Sequence, residues 1–241
     1  MINMAPFYQH ERIALSFSGG KDSLACVHML RDYLKDITVY HLDTGDLLPE
    51  MAASVSRVEL GVPNFVRIET HVARWIERHG LPTDLLPYST HPVGRAMGEP
   101  KVKLAPRYDC CYSNLMKPPF DRVVADGNTL LIRGTKAVDM KRLPVQSGDN
   151  SNGISYWYPL QAWSNEDVMR YLRENDVPIP RVYETMTNAP ECARCSAWWG
   201  EGRGAYLKAH HPELYKDYAT RLRVVAGELA PILDNLEVEL L

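Results

Sequence analysis

Leu15-Ser16-Phe17-Ser18-Gly19-Gly20-Lys21-Asp22-Ser23 is the stretch of this 241-residue chain on which the fold turns. Ile13, Leu15 and Phe17 alternate with Arg12, Ala14 and Ser16, the period-two pattern of a strand. Two glycines then turn the chain into a helix whose apolar face carries Leu24, Val27 and Leu34. A strand ending in a glycine turn at a helix N-terminus presents free backbone N–H groups and the positive pole of the helix dipole. That is a ready site for phosphate. Ser18 and Ser23 add hydroxyl donors, and Lys21 adds a point charge. The Gly-x-x-x-x-Gly-Lys-Ser/Thr spacing of the nucleoside triphosphatase loop is absent. A plain glycine turn is the bland alternative.

Outward from this turn, strands alternate with helices. Ile37 to Leu42 reads as a buried strand, Pro49 to about Leu60 as a helix, Asn64 to Ile68 as a strand and His71 to His79 as a helix. Gly80 to Arg107 is rich in proline and glycine and reads as a long functional loop, with Lys101, Lys103 and Arg107 along it. Strands are expected at Thr129 to Ile132 and Ile154 to Leu160. A helix is expected after the N-cap Ser164, with Asp167 at N3, ending near Asn175. Two more helices are expected over about Gly204 to Ala226 and Pro231 to Leu240. The pattern predicts an α/β fold with a doubly wound, mainly parallel sheet, helices on both faces and a helical C-terminal extension. Ligands of such sheets sit beyond the carboxyl ends of the strands. The expected domains are 1–195, holding the strand–turn–helix anion site, and 196–241, a helical C-terminal extension.

Hydrophobic residues make up 45% of the chain and charged residues 24%, with a net charge of -3, so no overall basic excess marks a nucleic-acid binder. No apolar run approaches the ~18 residues of a membrane span, and Met1 to His10 lack the pattern of a signal peptide. The expected location is the cytoplasm, where five cysteines suggest metal or redox chemistry before disulfides.

Ser-Gly-Gly-Lys-Asp-Ser resembles the PP-loop of the adenine-nucleotide α-hydrolase superfamily. Asp43-Thr44-Gly45-x-Leu47-x-Pro49-Glu50 is similar to a signature of the phosphoadenylyl-sulfate and adenylyl-sulfate reductases, where it lies beside the nucleotide. Pro159-Leu160-x-x-Trp163-Ser164-x-x-Asp167-Val168 looks like the same family's helix start, and Gly134 to Arg142 is weakly similar to its arginine-bearing stretch, with Lys136 in place of the first arginine. The resemblance covers about residues 12 to 195. It implies that Ser16, Ser18, Gly19, Gly20, Lys21, Asp22, Ser23, Asp43, Thr44, Gly45, Gly134, Lys136 and Arg142 hold ATP or an adenylyl sulfate. Lys21, Asp43 and Arg142 would act in catalysis, with Mg²⁺ bridging phosphates and Asp43 able to hold it.

Cys110-Cys111 and Cys192-Ala193-Arg194-Cys195 form a second resemblance, to the tandem-cysteine plus Cys-x-x-Cys pattern that holds a [4Fe–4S] cluster in adenylyl-sulfate reductases. Adjacent cysteines on a helix point about 100° apart, awkward for one tetrahedral ion, whereas a cube offers each thiolate its own iron. A zinc site and unliganded thiols remain alternatives. Cys26, inside the first helix, reads as core. Reductases of this family attack sulfur with a further cysteine downstream, and from Ser196 to Leu241 there is none.

Three functions follow as expectations. The first is ATP α-phosphate activation of an acceptor for sulfur insertion, with a nucleic acid among the acceptors. The second is sulfonucleotide reduction with the thiol supplied by a donor protein. The third is a non-catalytic nucleotide-binding subunit. A homo-oligomer is expected in each case.

Overall fold

The computed structural model describes residues 3–99, 101–139 and 146–241. These contain β1 (Ile13–Phe17), β2 (Ile37–Asp43), β3 (Phe65–Glu69), β4 (Leu81–Thr83), β5 (Leu104–Pro106), β6 (Leu130–Ile132), β7 (Asn150–Ser151) and β8 (Ile154–Trp157). The chain divides into two compact units that interleave along the sequence. One comprises Met1–Asp43, Leu48–Glu69 and Lys117–Ala189; the other comprises Thr44–Leu47, Thr70–Met116 and Pro190–Leu241.

The first unit is built on a six-stranded sheet in the order β3-β2-β1-β6-β8-β7. Every neighbouring pair is parallel except the edge pair β7–β8. Leu15 lies opposite Val39 on one side and Ile132 on the other, so β1 is the central strand of the parallel set. The chain leaves β1 for β2 and β3, then returns to β6 on its other side. That reversal opens a crevice at the carboxyl end of β1, where the Ser18-Gly19-Gly20 turn lies.

The alternation in β1 separates two cores. Ile13, Leu15 and Phe17 pack with Val39, Ile132, Leu24, Val168 and Leu172, while Ala14 packs with Tyr40, Leu131, Tyr156 and Val123. Both sheet faces are therefore covered, as a parallel sheet requires. The helix after β1, Lys21–Met29, stops earlier than its apolar pattern suggests, and Leu34 falls in the following 3-10 segment Arg31–Asp36. The helix Asn165–Glu174 starts with a full capping box: the Ser164 hydroxyl accepts from the Asp167 N–H, and the Asp167 carboxylate accepts from the Ser164 N–H at 2.9 Å.

The second unit corrects two expectations. Gly80 to Arg107 is not a structureless loop. Within it β4 and β5 form a parallel pair, and Leu81 and Leu104 pack against Val225, Ile76 and Val224. Short apolar strands can pair in this way once a helix covers them. The C-terminal break falls at His211 rather than near Pro231: helices Arg203–His210 and Pro212–Glu239 meet there. Pro212 begins the second helix, where its missing N–H costs nothing, and Pro231 is carried inside it. Among the described residues no helix is long and apolar enough to cross a membrane.

Candidate functional site

In the first unit the loop after β1 is braced by its own serines. The Ser18 N–H donates to Ser23 Oγ (3.3 Å), the Gly20 N–H donates to Ser18 Oγ (3.3 Å), and Ser23 Oγ donates to the Gly20 carbonyl (3.0 Å). Ser54 Oγ, from the helix Pro49–Gly61, donates to the Gly19 carbonyl at 3.1 Å. Gly19 has φ +84°, and a Cβ there would stand 2.8 Å from Val55 Cγ2, so only glycine makes this bend without strain. The hydroxyls expected to greet a phosphate thus first hold the loop in shape.

Lys21 opens the helix and is 2% exposed. Its ammonium lies 3.1 Å from Asp22 Oδ2 and 5.1 Å from the centre of the Tyr183 ring. Asp22 also takes Lys136 Nζ at 2.6 Å, and Lys136, wholly buried, reaches Asp139 at 2.8 Å. The chain Lys21–Asp22–Lys136–Asp139 therefore alternates in charge, and the Lys136 ammonium faces two carboxylates. Gly134 comes so close to the helix start that a Cβ would meet the Asp22 carbonyl carbon and oxygen at 2.8 Å. Ser16 is half-buried within β1, opposite Tyr40. Asp43, at the end of β2, accepts from Arg67 Nη1 at 2.7 Å, and Arg67 also pairs with Glu59 at 2.6 Å. Asp43 and Glu59 thus share one guanidinium, leaving the trio net negative. Lys141 and Arg142 lie outside the described residues.

Tyr183 has no counterpart in the sequence reading. Its hydroxyl accepts from the Lys21 backbone N–H at 3.1 Å, on one of the helix's first donors. Nothing local to Tyr183 signals this; the contact spans 162 residues. Beside it a cavity of about 420 Å³ is lined by Lys21, Asn165, Arg173, Tyr183 and Thr187. A larger one of about 480 Å³, lined by Arg12, Asp36, Tyr40 and Asp126, lies at the amino ends of the strands. The smaller cavity is the better candidate, because open parallel sheets take ligands at their carboxyl ends.

The second unit gathers the four paired cysteines. Cys110, Cys192 and Cys195 share an apolar cluster with Val72, Trp75, Ile76 and Leu115. Burial pushes the Cys110 thiol up to about 12, with the nearby charges of Cys111 and Cys195 adding to it. Burial likewise raises Cys111 and Cys192, and Cys195 contributes to each. Cys195 is thus felt by all three of the others. The tandem pair ends the helix Arg107–Cys111 and runs directly into a π-helical segment, Tyr112–Met116, where Asn114 Nδ2 donates to the Cys110 carbonyl at 2.9 Å.

The segment Thr44–Leu47 holds the Cys-x-x-Cys loop. Thr44 Oγ1 donates to the Glu191 carbonyl (3.2 Å), and the Ala193 N–H donates to the Asp46 carbonyl (2.6 Å). The buried Asp46 carboxylate takes Arg194 Nε at 2.7 Å. Gly45, with φ +73°, makes the turn between these contacts. Arg194, between the two cysteines, also reaches Asp217 at 2.8 Å. Asp46 was missed from the sequence because its partner is an unremarkable arginine far along the chain.

Among the described residues no three His, Cys, Asp or Glu side chains stand where they could hold a single metal ion. The donor set, four cysteines of which Cys110, Cys192 and Cys195 lie in an apolar cluster, is of a kind that fits an iron–sulfur cluster.

These features describe an α/β protein with a glycine turn at a helix start in one unit and neighbouring cysteines in the other. Residues 12–85 match the family model described as phosphoadenosine phosphosulfate reductase domain. The adenosine 5'-phosphosulfate reductase of Burkholderia cepacia is 25% identical over 213 residues, which cover 81% of this chain and 78% of that protein. Its counterpart in Allochromatium vinosum is 24% identical over 212 residues, covering 79% and 75%. The crystal structure of phosphoadenylyl-sulfate reductase from Candida auris, in a phosphate complex, superposes with a TM-score of 0.50 at 17% identity, covering 72% of this chain and 77% of that one. At that identity the superposition speaks for the fold. Over residues 12–85 the chain matches that reductase domain, and over about four-fifths of its length it is similar to these reductases.

Proposed function

We propose that this chain binds an adenine nucleotide with its phosphates against the Ser18–Ser23 turn, carries a [4Fe–4S] cluster on Cys110, Cys111, Cys192 and Cys195, and serves sulfur metabolism. The step we assign to it is activation of an acceptor at the ATP α-phosphate for sulfur insertion. An acceptor oxygen forms a bond to the α-phosphorus, the bond to the β-phosphate oxygen breaks, and pyrophosphate leaves. Lys21 and the loop amides would neutralise the charge that develops on the phosphate oxygens. Asp43, whose partner Arg67 is shared with Glu59, would be the residue to hold Mg²⁺ beside the nucleotide's phosphates. Lys136 would position Asp22 and the helix start from behind. A bound cluster would supply thiolate-ligated iron able to hold a sulfur atom.

The observation that carries this reading is the placement of the five cysteines. Four belong to the second unit, where Cys110, Cys192 and Cys195 share an apolar cluster and Cys195 acts on Cys111, and the fifth, Cys26, is wholly buried in the first unit's core, where burial keeps its thiol protonated. Within these 241 residues no thiolate is left to attack a sulfate sulfur. A second reading, reduction of an adenylyl sulfate with the thiol supplied by a donor protein, is favoured by the relatives' names. A homo-oligomer and a nucleic-acid acceptor belong to the proposal as partners to be tested.

Anaerobically purified protein with ATP, Mg²⁺ and candidate acceptors (tRNA, DNA) should release pyrophosphate. Lys21→Ala should slow that release about 10²–10³-fold. Sulfite from adenylyl sulfate plus thioredoxin, without pyrophosphate from ATP, establishes the second reading instead. Tight ATP binding in equilibrium dialysis with neither product leaves a non-catalytic nucleotide-binding subunit.

A further inference from the structure

Arg203 is 2% exposed. Its Nη1 donates to the Cys195 carbonyl at 3.3 Å, and its guanidinium lies 4.9 Å from the centre of the Trp198 ring and 6.0 Å from that of Tyr218. Its Nε is buried with no acceptor. Among the described residues no carboxylate lies within ion-pair distance of it. The neighbouring arginines differ: Arg194 faces Asp46 and Asp217, Arg221 faces Asp46 at 3.9 Å, and Arg107 faces Asp84 at 3.0 Å.

Two further facts make the placement costly. Arg203 is the first residue of the helix Arg203–His210, whose N-terminus is the positive pole and favours anions. A guanidinium also cannot escape by losing its proton. Stacking on two rings recovers only part of the cost of burying such a charge. The protein keeps it all the same, hydrogen-bonded to the backbone of Cys195, which shares one apolar cluster with Cys110 and Cys192.

We propose that Arg203 is the built-in counter-charge of the four-thiolate centre: a positioning residue that holds the anionic cluster in place and sets the potential at which it accepts an electron. This rests on the cluster reading above. Four thiolates around an iron–sulfur cube leave a net negative centre, so the loaded protein would supply the anion that the arginine lacks in the empty one. The charge balance explains why Trp198 and Tyr218 wall off an arginine next to an apolar cysteine cluster.

The test compares wild type with Arg203→Met, Arg203→Gln and Arg203→Lys in the full chain. Each protein is measured empty and after anaerobic reconstitution with iron and sulfide. Arg203→Met should melt no lower than wild type when empty, because an unpaired buried charge has gone. Loaded, it should lose iron to a chelator about 10-fold faster, and its midpoint potential should move to a more negative value. Arg203→Lys should recover most of the wild-type potential. If Arg203→Met does not fold, Arg203→Gln, which keeps a hydrogen-bonding head without charge, carries the same two readouts. An unchanged potential and iron-loss rate in the neutral variants overturns the proposal. So does a large drop in the empty protein's melting temperature with the potential unmoved, which is the mark of a packing role. Wild type that takes up no cluster defeats the cluster reading itself, a result separate from any behaviour of the variants.

Discussion

His41 illustrates what one side chain can impose on a parallel sheet. It is wholly buried on β2 between Phe17 and Phe65, and its Nδ1 lies 2.9 Å from the Phe17 carbonyl. A carbonyl only accepts, so Nδ1 carries the proton, and the buried Nε2 has no partner. Burial therefore holds the ring below its ordinary 6.5. The unfolded chain takes up this proton first, so stability is intact above about pH 6.5 and is lost as pH falls below it, by at most about 1.4 kcal/mol per pH unit. His41→Phe should cost about 1 kcal/mol at pH 7.5 through the lost hydrogen bond, and should flatten the decline between pH 6.5 and 5. Urea unfolding at several pH values checks both, and an equally steep decline in the variant refutes the assignment. The sequence placed this histidine in a buried strand but gave no sign that one nitrogen would be left without a partner.

At the scale of elements, the start of the helix Lys21–Met29 is fixed by contacts from three directions. Ser54 holds the Gly19 carbonyl, Tyr183 accepts from the Lys21 N–H, and Gly134 abuts Asp22. Gly134→Ala would drive a methyl group against backbone atoms at 2.8 Å that cannot turn aside. It should destabilise the protein by about 1–3 kcal/mol and weaken ATP binding. Gly227→Ala provides the contrast. That glycine lies inside the helix Pro212–Glu239, and a Cβ there meets nothing within 4 Å. The change should stabilise by about 0.5–1 kcal/mol. Denaturant melts of the two variants should move in opposite directions; a shared sign would refute the packing argument.

Across the whole molecule, the two units have unequal means of support. The first encloses both faces of a six-stranded sheet with large apolar side chains. The second has smaller clusters, one of them built partly from the cysteines themselves. On the cluster reading proposed above, a unit of that kind gains much of its stability from the cluster. Iron chelation, or Cys192→Ser, should therefore open 70–116 and 190–241 to protease while Ile13–Phe17 and Ile37–Asp43 stay protected. Mass mapping of the fragments reads this directly, and equal protection with and without iron counts against the cluster as a structural support.

Periodicity and turn chemistry are local, and those parts were legible in the sequence: the strand Ile13–Phe17, its glycine turn, the alternation of strands with helices, and the Ser164–Asp167 cap. Each depends on residues a few positions apart. Only the tertiary structure turned Lys136 toward two carboxylates, set Tyr183 on the Lys21 amide, clasped the Cys-x-x-Cys loop with Thr44 and Asp46, and left Arg203 without a carboxylate among the described residues. The resemblance marked Lys136 and Thr44 as candidate residues without indicating what they touch. Such partners are chosen by strand order and by which segments a second unit brings together. A backbone's local preferences carry no information about neighbours more than a hundred residues away.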